Sequence, residues 1–215
     1  MFNLVLKDLI VQKRERTIFV LILLGAFSAV GLQSNIGISI GQLIFAVYFF
    51  TVYANAFDYK YNAEITINSL PIKRSQVVLA KYLSIFLFFA LGVVFTFVPG
   101  VLFKYFGLFN VRRTIDLTIV LIALSGMNIY YSIFFPLYFK LGYMKSRWGN
   151  WLITALFMAI GTGVGTIKNV GEDVPVSLVS GSIDIHILLI MLLVSLGLLL
   201  ISLIISQKIY ANKEL

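Results

Sequence analysis

The run TIFVLILLGAFSAVGLQSNIGISIGQLIFAVYFFTVYANAF, residues 17–57, contains no charged side chain over forty-one positions. A helix crosses about 30 Å of hydrocarbon with about 20 apolar residues, so this run is long enough to cross twice. Gln33-Ser34-Asn35 interrupts it near the middle and reads as the turn between spans at about 17–33 and 36–57. Ala26-Phe27-Ser28 has the small residues of a signal-peptidase site. A charged sixteen-residue segment precedes the run and further spans follow, so 17–33 is taken as a span and not as a cleaved leader.

Working outward, charges cut the remaining chain into pieces of similar length. Residues 82–103, 117–139, 148–167 and 185–207 are each free of Asp, Glu, Lys and Arg. The expectation is an all-α integral membrane protein of six transmembrane helices, forming a single domain over residues 1–215. Composition agrees: 60% of the 215 residues are hydrophobic, 12% are charged and the mean hydropathy is +0.98. A soluble domain is about 45–50% apolar and about 25% charged, which excludes a soluble enzyme and a disordered chain.

With six spans both termini share a side. That side, with the second–third and fourth–fifth connections, carries thirteen Lys and Arg residues; the other carries only Lys104, Arg112, Arg113 and Lys168. By the positive-inside rule both termini are expected in the cytoplasm. The same rule accounts for the net charge of +8 without nucleic acid.

The expected spans hold no ionisable residue at mid-depth, where such groups mark proton relays and ion paths. This argues against an ion-coupled transporter. Ser125, in Leu124-Ser125-Gly126, and the single histidine His186 have the order of an intramembrane serine protease. At about 1.5 Å per residue they are offset along the membrane normal by roughly 12 Å, too far to hydrogen-bond. No GxxxxGK[ST] phosphate loop and no carboxylate cluster for a metal is present, and the chain has no cysteine.

In MFNLVLKDLIVQKRER, residues 1–16, Phe2, Val5, Leu6, Leu9 and Ile10 share one helical face, while Asn3, Lys7 and the charges at 13–16 are polar. The pattern suits an amphipathic helix in the interface and equally a basic topogenic flank. In the second span Gly37, Gly41, Ile44, Tyr48, Thr51 and Asn55 recur at intervals of three and four. Such a stripe serves close helix packing or lines a transport path; Thr154, Met158, Gly161 and Gly165 repeat the pattern in the fifth span.

Between the second and third spans lies DYKYNAEITINSLPIKRSQVVLAKYL, residues 58–83. Residues 61–68 suit a short helix, Pro71 ends it, and Ser75 is placed to N-cap the helix leading into the third span. The string Asn68-Ser69-Leu70-Pro71-Ile72 with Arg74, Val78, Lys81, Tyr82 and Leu83 resembles the signature loop of ABC-2 type permeases from Gram-positive bacteria. The second loop, Pro136-Leu137-Tyr138-Phe139-Lys140-Leu141-Gly142-Tyr143 with Lys145 and Arg147, resembles that family too, as do the basic start and the span count. The resemblance is strongest to small permeases that export amphipathic peptides such as phenol-soluble modulins.

The resemblance implies a multi-pass permease of the bacterial plasma membrane, working with a cytoplasmic ABC ATPase dimer and a second permease, identical or homologous. ATP and Mg would be bound by the ATPase, and this chain would itself hold no cofactor, metal or catalytic residue. The loop at 58–81 would carry the coupling helix, with Tyr61, Glu64, Ile65, Asn68, Ser69 and Leu70 meeting the ATPase. Tyr48, Thr51 and Asn55 would face a substrate path between the two permeases. A membrane scaffold or a peptide-sensing immunity protein would share this topology without turnover.

Overall fold

The computed structural model describes residues 2–11, 36–69, 71–106, 116–167 and 185–213. The elements are α1 (Phe2–Val11), α2 (Ile36–Lys60), α3 (Ala63–Asn68), α4 (Arg74–Tyr105), α5 (Leu117–Ile167) and α6 (Ile185–Ala211). Four stretches are long and apolar enough to cross a bilayer: Ser39–Lys60, Arg74–Leu102, Leu117–Asn150 and Ile185–Ala211. The first expected span, 17–33, lies outside the described residues, as do the connections at 107–115 and 168–184.

The helices run past the charges that were expected to end them. α2 continues through Asp58 to Lys60, and α6 through Lys208 to Ala211. α4 begins at Arg74, eight residues before the expected start at 82, so Ser75 lies in its first turn and does not cap it. Backbone hydrogen bonding is satisfied inside a helix, and a charge at its end need only reach water or a partner. Seventeen residues of the expected loop at 58–81 are therefore helical ends or α3.

Where separate spans at 117–139 and 148–167 were expected, α5 is one helical stretch broken at Gly142. Gly142 has φ 74° and ψ 172°, a region open only to glycine. The reversal is visible in the contacts. Tyr130 stands twelve residues before Gly142 and Thr154 twelve after, and their hydroxyls are 3.2 Å apart; Tyr130 also donates to Asn150 Oδ1. A single residue thus replaces the longer basic turn.

α2, α4, α6 and α5 close a ring in that order, each packing on the next, and α1 crosses outside against α4 and α2. Aromatic rings fill the centre. Tyr82 and Phe135 have centroids 4.5 Å apart, Tyr131 and Phe135 5.3 Å, and Phe50 and Phe88 5.8 Å. α2 and α4 approach closely at Gly92, where a Cβ would meet the Ala46 Cβ at 3.3 Å.

Lipid gives apolar helices no hydrophobic reason to associate, so hydrogen bonds between them carry part of the assembly. Pro136, inside α5, has no N–H and leaves the carbonyl of Ser132 without its usual helical donor. Ser202 of α6 supplies one, its Oγ lying 2.7 Å from that carbonyl. With the Ser202 proton so placed, Tyr82 donates to Ser202 at 2.7 Å and accepts from Ser206 at 2.8 Å. Higher on the same line of α6, Ser195 accepts from Asn128 Nδ2 at 3.3 Å. All three serines are buried.

Candidate functional site

α2, α4 and α6 meet at one end of the ring, and α3 stands there between the first two. Its start is set by Asn62, which holds φ 48° and ψ 39°, a left-handed conformation that asparagine tolerates better than most residues. That kink turns the chain out of α2, and the Asn62 carbonyl accepts from the amides of Ile65 at 3.1 Å and Thr66 at 3.4 Å. After one and a half turns Ser69 closes α3, its Oγ donating to the Thr66 carbonyl at 2.8 Å. Pro71 then blocks continuation before α4 begins.

α3 divides its side chains. Ile67 packs against the core, whereas Ile65 is 71% exposed and points away from it. Tyr61 lies in the preceding turn and not in α3, 55% exposed, with its ring 5.6 Å from Phe57. Glu64 is exposed but engaged: its Oε1 is 2.6 Å from the ammonium of Lys213, beyond the end of α6. Ser69 is exposed and spends its proton within α3. Asn68 occupies the last turn of α3, with its side chain outside the described atoms, and Leu70 lies outside the described residues.

The polar stripe of α2 proves two-sided. Gly41 is open, with nothing within 4 Å of where a Cβ would stand, and Phe45 is 41% exposed. Thr51 and Asn55, by contrast, are 4% and 1% exposed inside the ring. Tyr131 of α5 donates to Thr51 Oγ1 at 2.9 Å, and Lys81 of α4 donates to Asn55 Oδ1 at 3.2 Å. Tyr48 stands between these two environments, half-buried, its ring 6.2 Å from that of Tyr130.

Just inside the α3 end lies a feature the sequence did not disclose. Lys81 Nζ is 2.6 Å from Asp58 Oδ2 and 3.2 Å from Asp8 Oδ2. Lys7 Nζ is 2.6 Å from Asp58 Oδ1 and 3.4 Å from Asp8 Oδ1. Two cations and two anions thus alternate around a closed square that joins α1, α2 and α4. The Asp8 and Lys81 side chains are only 3% and 10% exposed. Every charge touches two of opposite sign, which offsets the cost of taking all four from water.

This square redefines α1. Val5 and Asp8 face the bundle and are buried at 6% and 2%, while Leu6 and Ile10 are 40% and 58% exposed. The apolar face expected from the sequence is therefore split between protein and surroundings. A usable signal existed: Asp58 and Lys81 sit near the facing ends of consecutive antiparallel spans, where opposite charges can pair.

Among the described residues the Ser125 and His186 pair is not built into a catalytic constellation. Ser125 donates to the Leu121 carbonyl of its own helix at 2.9 Å, and His186 is exposed in the first turn of α6. Among the described residues no group of three or more His, Cys, Asp or Glu is placed to hold a metal ion. What the arrangement does offer is an exposed helical knob, rigidly rooted between long apolar helices.

Neither a curated protein nor a solved structure matches the sequence. A family model described as ABC-2 family transporter protein matches residues 3–211. With nearly the whole chain inside that match, and apolar helices that suit a multi-pass membrane component, the protein belongs to the ABC-2 transporter family.

Proposed function

We propose that the chain is the permease of an ATP-driven exporter in a bacterial plasma membrane, with α3 as its coupling helix. The observation that carries this reading is Ile65, a large apolar residue 71% exposed on a six-residue helix held between two spans. So exposed an apolar side chain adds little to the packing of the described residues and suits a groove on a partner. Tyr61, Glu64 and Ser69 flank it, with Asn68 and Leu70 completing the same segment.

In this reading the α3 end faces the cytoplasm and docks on a separate ATPase dimer that binds ATP and Mg. Closure of the ATPases displaces α3 and tilts the helices rooted beside it. A second permease completes the pair. The cargo is amphipathic or hydrophobic, of peptide type, because the described interior pairs its charges with one another and leaves none for an ion. A path along α2 runs past Tyr48, and Thr51 and Asn55 join it when the α2–α4–α5 contacts part.

The test is Ile65→Asp in the full chain, co-purified with its ATPase from native membranes in mild detergent. Loss of the ATPase, with the variant inserted and eluting as wild type, is the expected result. An ATPase retained as well as by wild type would sink the coupling-helix reading. Transport by the purified chain without any ATPase would sink the ATP-driven one.

A further inference from the structure

The end of α6 is held to the α3 segment by more than one contact. Arg74, the first residue of α4, donates from Nη1 to the carbonyls of Ala211 at 2.9 Å and Lys213 at 3.0 Å. Ala211 ends α6, where carbonyls have run out of intrahelical donors and where a cation suits the helix dipole. Lys213 then reaches Glu64 of α3 at 2.6 Å. One turn back, Tyr210 is buried at 3% and its ring lies 5.3 Å from that of Phe139 of α5, so the anchored end is fixed in the bundle as well. None of this is needed for α3 to present Ile65.

We propose that Arg74 and Lys213 are positioning residues for energy coupling, tying α3 to α6 so that the two move as one body. The inference rests on α3 being the helix that the ATPase displaces. Covalently, α3 is joined only to α2 and α4. The tie adds α6, so a push on α3 reaches three of the long helices together. A lone exposed ion pair contributes little, but here Arg74 takes the Ala211 carbonyl at the helix end together with that of Lys213, which holds Lys213 over Glu64. The alternative is a latch: a tail that must release Glu64 each time α3 moves.

The chain has no cysteine, so two can be introduced without competing thiols. Glu64→Cys with Lys213→Cys is bridged by a short bifunctional methanethiosulfonate, which a reductant removes, in the full chain reconstituted in vesicles with the ATPase that co-purifies with it. The readouts are bridging yield and Mg-ATP hydrolysis before and after reduction. The expected result is efficient bridging that raises the lowered hydrolysis of the unbridged form, a gain lost again on reduction. Failure to bridge in the inserted chain, or hydrolysis that returns only on reduction, overturns the proposal.

In parallel, Lys213→Met is expected to lower hydrolysis several-fold with ATPase binding intact, and Lys213→Arg, which keeps a cation opposite Glu64, to restore it. Equal rates in all three forms overturn the positioning role. If no ATPase binds even the wild type, the coupling-helix reading fails, and the bridging yield still reports on the tie by itself.

Discussion

Lys81 and Asp58 are 23 positions apart in the chain and 2.6 Å apart in space, on facing turns of α4 and α2. Each also touches a second opposite charge from α1. Lys81→Met leaves two carboxylates facing the single cation of Lys7 in a largely dry site, and a broken buried pair costs about 3–5 kcal/mol. A clear fall in the thermal unfolding midpoint in mild detergent is expected. Lys7→Met, whose side chain is 32% exposed, is expected to fall less. Exchanging only the central pair, Asp58→Lys with Lys81→Asp, is expected not to restore stability, because it sets Lys7 against a new lysine and Asp8 against a new aspartate. Recovery by that exchange would mean an isolated pair and not a square.

Gly142 and Gly149 form a controlled comparison, since a Cβ at either position meets nothing within 4 Å. Only Gly142 has a positive φ, +74°. Gly142→Ala is expected to cost about 1–3 kcal/mol through backbone strain alone, while Gly149→Ala, in a helix, is expected to be neutral or stabilising by up to about 1 kcal/mol. Equal unfolding midpoints for the two variants would show that the reversal at 142 does not need its left-handed backbone.

Pro136 and Ser202 are coupled through the Ser132 carbonyl. Ser202→Ala is expected to lower stability by about 0.6–2 kcal/mol, the range for hydrogen bonds between membrane helices. In a Pro136→Ala background the helix supplies its own donor to that carbonyl, so Ser202→Ala is expected to cost less. A double-mutant cycle measures the difference; additivity within error would remove Pro136 from the account.

α1 offers a fourth test. Ile10 is exposed on the side opposite Asp8, and the absence of cysteine permits Ile10→Cys to be labelled alone with an environment-sensitive dye. In vesicles the label is expected to report an apolar surrounding, whereas one at Ile65→Cys reports water. A water-like signal at both positions would remove α1 from the bilayer interface.

The four described crossing stretches were visible in the sequence because lipid imposes a length, and charges mark where apolar runs stop. The sequence misplaced the helix ends for a related reason: Asp58 and Lys81 look like termini until each has a partner, and the partner Asp8 lies on a segment read only for its apolar and basic face. α3 was legible from Pro71 and the polar residues around it. Its tie to Lys213 was not, since nothing local to Glu64 points to a residue 149 positions away. α6 was the least legible in orientation. It is apolar on every side, so no period in its hydropathy singles out the face carrying Ser195, Ser202 and Ser206.

That uniformity bears on how the molecule is built. The crossing stretch of α6 has a mean hydropathy of 3.1, and only 22% of its most apolar window is buried. Such a segment is at home in lipid before it has met any neighbour, so its insertion does not wait for the bundle. Its serines find partners only on packing against α4 and α5, where Ser202 meets the carbonyl that Pro136 left open. A defect in that packing is then expected to leave a fully inserted but unassembled protein, a target for membrane quality control.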